Sequence, residues 1–139
     1  MTMKILTFQN EKVINTIIYF LNNTINVNKS KLFKLLYFAD TKCYIESGFQ
    51  ITDLEYSSGI PDQISKELTN PDNIVYGLYE FIQIDNNFFH VKNGYSFNPI
   101  YFSDFELSIM KEIACLYYDN KIENEQKYAW KAQNLVKEL

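Results

Sequence analysis

Histidine is the residue type best suited to acid–base chemistry, and it occurs once in this chain, as His90. A single histidine could serve as the general base of a small hydrolase. In the stretch Phe88–Val91, however, it alternates with apolar residues as on a strand. No Ser or Cys nucleophile elbow and no H-E-x-x-H pattern accompanies it. We therefore expect a structural or surface histidine and no catalytic residues, and a hydrolase using His90 is the less favoured alternative.

Metal and cofactor sites are not predicted either. A metal site needs ligands at close spacing, whereas Cys43 and Cys115 lie far apart in the sequence and form no C-x-x-C pattern. Both cysteines lie in apolar helical patterns, which is typical of buried residues. None of the 4 glycines follows a phosphate-binding pattern. The sequence thus predicts a non-enzymatic protein without metal or cofactor.

The charge of the chain favours a protein partner over a nucleic acid or a membrane. Its 17 acidic residues outnumber the 13 basic ones, all of which are lysines, and the net charge is −4. Without arginine there is no planar guanidinium group for phosphate or guanine, and an acidic chain suits a basic partner. No apolar run approaches the roughly 20 residues that cross a bilayer, and no signal-peptide pattern is present. We expect a cytoplasmic protein.

Asp40 is the most informative charged residue, because it interrupts an otherwise apolar helical stretch. A buried carboxylate is costly unless it is paired. Asp40 therefore either faces solvent, pairs locally near Lys42, or marks an open face for a partner. The aromatic residues nearby, including Phe49, belong to a core if they are buried and to a binding hot spot if they are exposed. The predicted partner-binding residues are Tyr37, Asp40, Tyr44, Asp53, Glu55 and Tyr56.

A central helix, Lys31 to Ser47, must position most of these side chains. Apolar residues cover nearly its whole circumference, which predicts that other elements pack around it. Asn28 is suited to cap its first turn, and Gly48 to end it in a left-handed conformation. The residues that define this pattern are Leu32, Phe33, Leu35, Leu36, Tyr37, Phe38, Ala39, Cys43 and Tyr44.

The remaining elements are predicted around this helix. Asn10 should cap a helix over residues 11–22, and Pro61 should open a short helix over residues 62–68. Residues 74–98 should form a small antiparallel sheet with strands at 78–84, 88–92 and 95–98, joined by turns at 85–87 and 93–94. Ser103 and Glu106 form a capping box that opens another helix, and a last helix covers about residues 123–139. We expect one α+β domain over residues 1–139, mainly helical around a buried central helix.

The central stretch also resembles a known family. Its sequence from Lys31 to Asp40, K-L-F-K-L-L-Y-F-A-D, is similar to the opening K-L-x-K-L-L-Y-F-A-D of the Panacea domain, which is found in SocA-like antitoxins and phage-associated GepA-like proteins. The segments Ser47–Thr52 and Gly59–Pro61 match later blocks in the same order, and Ala129-Trp130 matches the A-W of the closing helix. The structural motif residues are Leu35, Phe38, Gly48, Gly59, Pro61 and Trp130.

This resemblance implies an antitoxin that neutralises a protein toxin, encoded by an adjacent gene, through direct contact. Delivery of the toxin to a host protease is a second mechanism within that function, and a phage or mobile-element protein that binds a host factor is the main alternative. A homodimer is compatible with each of these. The chain departs from the family at Ser58-Gly59-Ile60, where Y-G-P is expected, and at Glu125-Gln126, where a histidine is common. These departures affect the expected choice of partner.

Overall fold

The computed structural model describes residues 7–119, which form a mainly helical α+β fold with two small antiparallel sheets. The predicted fold class is therefore confirmed, while the predicted helix at residues 123–139, with Trp130, lies outside the described residues. Among residues 7–119, no helix is both long and apolar enough to cross a bilayer. In chain order the elements are α1 (Phe8–Asn23), α2 (Lys29–Ser47), β1 (Tyr56–Ser57), β2 (Ile60–Pro61), α3 (Asp62–Thr69), α4 (Leu78–Phe81), β3 (Ile82–Asp85), β4 (Phe88–Val91), a 3-10 turn (Pro99–Tyr101) and α5 (Asp104–Leu116).

The predicted central helix is confirmed as α2, which packs against α1, α5 and β2. The Asn28 side chain accepts the N–H of Lys31 at 2.8 Å, and the helix ends at Gly48, whose φ is 85°. Both ends therefore follow the predicted capping chemistry. The side chains that form the centre of the core from this helix are Leu32, Leu35, Leu36, Ala39 and Cys43.

Helix α1 begins at Phe8, earlier than predicted, because the residue that caps it is Thr7. The Thr7 hydroxyl accepts the N–H of Asn10 at 3.0 Å, so the prediction that Asn10 caps this helix is wrong. The Asn10 side chain instead donates to the carbonyl of Val75 at 3.3 Å. The capping box of Ser103 and Glu106 at the start of α5 is confirmed, with both reciprocal hydrogen bonds present.

The predicted hairpin is present as β3 and β4, with Ile82 opposite Val91. Its turn is Asn86-Asn87, where both residues have positive φ, as the favoured two-residue hairpin turns require. The predicted strand at 78–84 is correct only from Ile82, since residues 78–81 form the helical turn α4. That turn is set by a distant residue. The buried carboxylate of Glu67 accepts the N–H groups of Val75, Tyr76 and Leu78.

The predicted third strand at residues 95–98 is wrong. The N–H of Asn98 donates to the Asn15 side chain at 2.8 Å, and the Phe97 ring packs against Tyr19, so the segment lies on α1 instead. A second hairpin, β1 with β2, was not predicted as a sheet. Pro61 belongs to this hairpin and occupies the N-cap position of α3, not its first helical position.

Candidate functional site

A groove of about 600 Å³ lies between α2 and the connecting segment, residues 48–61, that leads from α2 to α3. Five of the six predicted partner-binding residues line it. The sixth, Asp53, is exposed on the connecting segment but does not line the groove. The lining residues are Tyr37, Asp40, Thr41, Tyr44, Gln50, Leu54, Glu55, Tyr56, Ser57 and Asp62.

Asp40 is buried beneath this groove, with 2% of its surface exposed, so the expectation that it faces solvent or lies on an open face is corrected. It does not pair near Lys42 either, because the Lys42 ammonium lies 3.5 Å from both Glu46 and Glu112. The Asp40 carboxylate instead accepts the Thr52 N–H at 2.8 Å and the Thr52 and Tyr56 hydroxyls at 2.5 Å each. Asp40 therefore binds the connecting segment to α2.

The ionisation of this buried cluster is governed by desolvation. Burial raises the pKa of Asp40 from 3.8 to about 6, although the hydrogen bonds from Thr52 and Tyr56 act in the opposite direction. Burial and the neighbouring Asp40 carboxyl group also raise the pKa of Tyr56 well above its ordinary value. Tyr56 therefore stays protonated at neutral pH, and its hydroxyl donates a hydrogen bond to the Asp40 carboxylate.

Hydrogen bonds within the connecting segment hold its backbone in place. The Gln50 side-chain amide donates to the carbonyls of Thr52 and Leu54, at 3.2 and 3.0 Å. The Thr52 hydroxyl accepts the N–H of Leu54, and the N–H of Asp62 donates to the carbonyl of Glu55. Because each of these groups is satisfied locally, the segment presents a fixed surface rather than a loose loop.

Tyr37 connects α2 to the β1–β2 hairpin. Its ring packs edge-on against the Tyr56 ring at a centroid distance of 5.3 Å. It also lies under Gly59, where an added Cβ would come within 3.8 Å of the ring. Gly59 has a φ of 78°, which favours glycine, so the hairpin can cover Tyr37 without backbone strain. Ser58, beside it, takes the same left-handed region with a φ of 52°.

Two aromatic side chains near the C-terminal end of α2 are exposed, Tyr44 at 47% and Phe49 at 77%. Phe49 is the most exposed large apolar side chain of residues 7–119. Its backbone is held by Ser47, whose hydroxyl donates to the Cys43 carbonyl at 2.7 Å and accepts the Phe49 N–H at 3.3 Å. Phe49 was not among the six predicted partner-binding residues, but it was one of the aromatic residues expected to form a binding hot spot if exposed. Its position directly after the helix-ending Gly48 is the sequence signal that would have identified it.

The rim of the groove is acidic. Glu55 is exposed, and its carboxylate makes no hydrogen bond or ion pair with any other described residue. The Asp62 carboxylate accepts the Ser57 hydroxyl at 3.0 Å through one of its oxygens. The lining residues include three tyrosines and three carboxylates but no lysine. The groove therefore combines aromatic faces with negative charge.

The predicted structural motif residues have separate roles. Leu35 and Phe38 are core residues of α2, exposed by only 1% and 5%, and Pro61 is buried in β2. Gly48 ends α2, and Gly59 covers Tyr37 as described above. Trp130 lies outside the described residues.

The residues first considered for catalysis or metal binding do not line the groove. His90 is exposed on β4, opposite Gln83 of β3. Cys43 is buried as expected, but Cys115 is exposed, so the expectation of a second buried cysteine is corrected. Among residues 7–119, no group of three or more His, Cys, Asp or Glu side chains could hold a metal ion.

No protein-family model, curated protein or solved structure matches the chain. The geometry of the groove and the chemistry of its residues are therefore the basis for a functional proposal.

Proposed function

We propose that this chain is a cytoplasmic, non-enzymatic antitoxin that neutralises a protein toxin by direct binding through the groove and Phe49. The observation that carries the proposal is an ordered surface with exposed aromatic side chains beside an acidic rim. Aromatic residues dominate the hot spots of protein interfaces because they bury much apolar area at little entropic cost. Tyr44 lines the groove, and Phe49 directly precedes Gln50, which also lines it.

Three of the blocks that carry the resemblance to the Panacea domain lie close together beside the groove. Asp40, at the end of the first block, binds Thr52, at the end of the second. Tyr37 of the first block contacts Gly59 of the third. Lys31, the first residue of the pattern, is buried and donates from its ammonium group to the carbonyls of Ile25 and Tyr118. The hydrogen bonds between Asp40 and Thr52 hold the second block against the first.

The mechanism we propose is occlusion of the toxin's substrate-binding face. A toxin that acts on a phosphate-containing substrate carries a basic face, and an acidic partner is attracted to it. Phe49 then enters an apolar pocket of the toxin, and the groove covers basic residues around that pocket. Delivery of the toxin to a host protease would use the same contact but would remove the toxin instead of masking it.

Bacterial growth provides the test. The product of the adjacent open reading frame is expressed alone, with the wild-type chain, and with the Phe49→Ala variant. We expect the neighbour to arrest growth, the wild-type chain to restore it, and Phe49→Ala to fail. Ile100→Ala is the matched control, since Ile100 is 74% exposed and does not line the groove. Equal far-UV circular dichroism spectra establish that both variants are folded.

Two further measurements distinguish occlusion from delivery to a protease, and an antitoxin from a hydrolase that uses His90. An immunoblot for the toxin during rescue should show an unchanged level if occlusion operates and a falling level if the toxin is delivered to a protease. His90→Ala should restore growth like the wild-type chain, because His90 lies outside the groove. If the product of the adjacent open reading frame does not arrest growth, the antitoxin assignment is overturned. The chain would then be assigned as a phage or mobile-element protein that binds a host factor through the same surface.

A further inference from the structure

The lining of the groove has a composition that favours a positively charged occupant. Tyr37, Tyr44 and Tyr56 supply aromatic rings, and Asp40, Glu55 and Asp62 supply carboxyl groups. No lysine lies among the lining residues to neutralise them. A cation that enters the groove therefore meets attractive electrostatic interactions and no like charge within it.

Several of these groups are free to bind such an occupant. The Glu55 carboxylate has no partner among residues 7–119, and the Asp62 carboxylate accepts only the Ser57 hydroxyl there. Tyr44 is 47% exposed, so part of its ring is open to solvent and to a cation above its face. The hydrogen bonds of Thr52, Gln50 and Asp40 hold the wall that carries these groups. Little reorganisation is then needed on binding.

The residues that line the groove indicate which kind of cation it can bind. The described residues contain no carboxylate cluster that could hold a metal ion. A groove of about 600 Å³ lined by three tyrosines instead suits an organic cation with an apolar part. Lysine and arginine side chains combine an apolar stem, which packs on aromatic rings, with a charged end that binds carboxylates.

We propose that the groove binds a lysine or arginine side chain of the partner protein, with its charged end at Glu55 and Asp62 and its stem against Tyr44. This inference rests on the proposed antitoxin function for the identity of the partner. It adds the recognition chemistry, namely that the toxin presents a basic side chain next to the apolar pocket that accepts Phe49.

The groove can be tested without the toxin. The probe is the peptide acetyl-Gly-Arg-Gly-amide, and its control is the same peptide with citrulline, which keeps the shape of arginine but has no charge. Each peptide is titrated into ¹⁵N-labelled full-length protein, and amide shifts are followed by NMR. We expect saturable shifts at Gln50 and Glu55 with the arginine peptide, which weaken as salt is added. The citrulline peptide should bind at least fivefold more weakly.

Variants locate the contact. Glu55→Gln removes a carboxylate that has no partner among the described residues, so the variant should fold like the wild type. It should lower the affinity for the arginine peptide by about fivefold. Asp62→Asn should have a similar effect. Asp85→Asn makes the same change of net charge on the exposed end of β3, outside the groove, and should leave binding unchanged.

The outcomes separate this inference from the function on which it rests. Equal binding of the two peptides, or unchanged binding to Glu55→Gln and Asp62→Asn, would overturn the basic-side-chain proposal even if the chain rescues growth. Charge-dependent binding lost in these variants supports it even if the adjacent gene product is harmless. In that case only the identification of the partner as a toxin fails.

Discussion

Replacing Asp40 by asparagine isolates the buried group that joins the connecting segment to α2. Burial raises the pKa of Asp40 in the folded chain from 3.8 to about 6. Between these pH values the folded state binds more protons than the unfolded state, so stability falls as the pH rises. The stabilising contribution of the protonated group is therefore complete below about pH 3.8 and is lost as the pH rises through about 6.

The size of the effect follows from the same shift. One pKa unit corresponds to about 1.4 kcal/mol, so the difference between 3.8 and about 6 is worth about 3 kcal/mol. Asparagine does not ionise in this range and is free of this pH dependence. Between about pH 3.5 and pH 7.5, the free energy of unfolding of the wild type should fall by about 3 kcal/mol relative to that of Asp40→Asn.

The assay is urea unfolding followed by far-UV circular dichroism, with both proteins measured at each pH. Asp53→Asn is the matched control, because it makes the same change of charge at an exposed position of the connecting segment, to which Asp40 binds. A difference between wild type and Asp40→Asn that stays constant across the pH range would refute the argument. If the free energy of unfolding of the wild type instead rises with pH relative to that of Asp40→Asn, the hydrogen bonds from Thr52 and Tyr56 outweigh desolvation.

Substitutions at three further positions test other parts of the structure. Glu67→Gln should lower the free energy of unfolding in urea by about 2–3 kcal/mol, because the amide group cannot accept all three backbone N–H groups that the buried carboxylate accepts; an unchanged midpoint would contradict this role. Gly59→Ala should cost about 1 kcal/mol in the same assay, since φ there is 78°, and Gly59→Asn should cost less. Phe49→Ala should change the free energy of unfolding by less than about 0.5 kcal/mol. It should lower the affinity for a co-purified toxin, measured by calorimetry, by more than about tenfold. Equal affinity of Phe49→Ala and Ile100→Ala for the toxin would remove Phe49 from the interface.

The parts of the fold that the sequence predicted well are those set by local chemistry. The boundaries of α2 follow from Asn28 and Gly48, and the start of α5 follows from the capping box of Ser103 and Glu106. In each case the residues that decide the structure lie within one turn of the boundary. The burial of α2 followed equally directly from its nearly continuous apolar surface.

Distant contacts decided the parts that were missed. Residues 78–81 have the composition of a strand, but Glu67 accepts N–H groups just before and within this turn and favours a helical turn. The segment 95–98 lies on α1 because Asn15 accepts the N–H of Asn98. Neither partner can be identified from the local sequence, since both hydrogen bonds join residues far apart in the chain.

The candidate site was predicted in its membership but not in its arrangement. The sequence identified five of the groove-lining residues by type and proximity. For Asp40 it left solvent exposure, local pairing near Lys42 and an open face as alternatives, whereas Asp40 is buried and bonds to Thr52 and Tyr56. For Phe49 both a core and a hot-spot role were left open, because an aromatic residue near a core helix is usually buried, and its exposure of 77% favours the hot-spot role.

Site-specific photo-crosslinking in growing cells tests directly whether the toxin binds at Phe49, beside the groove. A benzoylphenylalanine residue is placed at position 49 in one variant and at position 100 in the other, and each is co-expressed with the product of the adjacent open reading frame. Both original side chains are highly exposed, so the two probes are equally accessible. We expect a covalent adduct with the toxin from position 49 and none from position 100. Rescue of growth without an adduct at position 49 would contradict binding at Phe49.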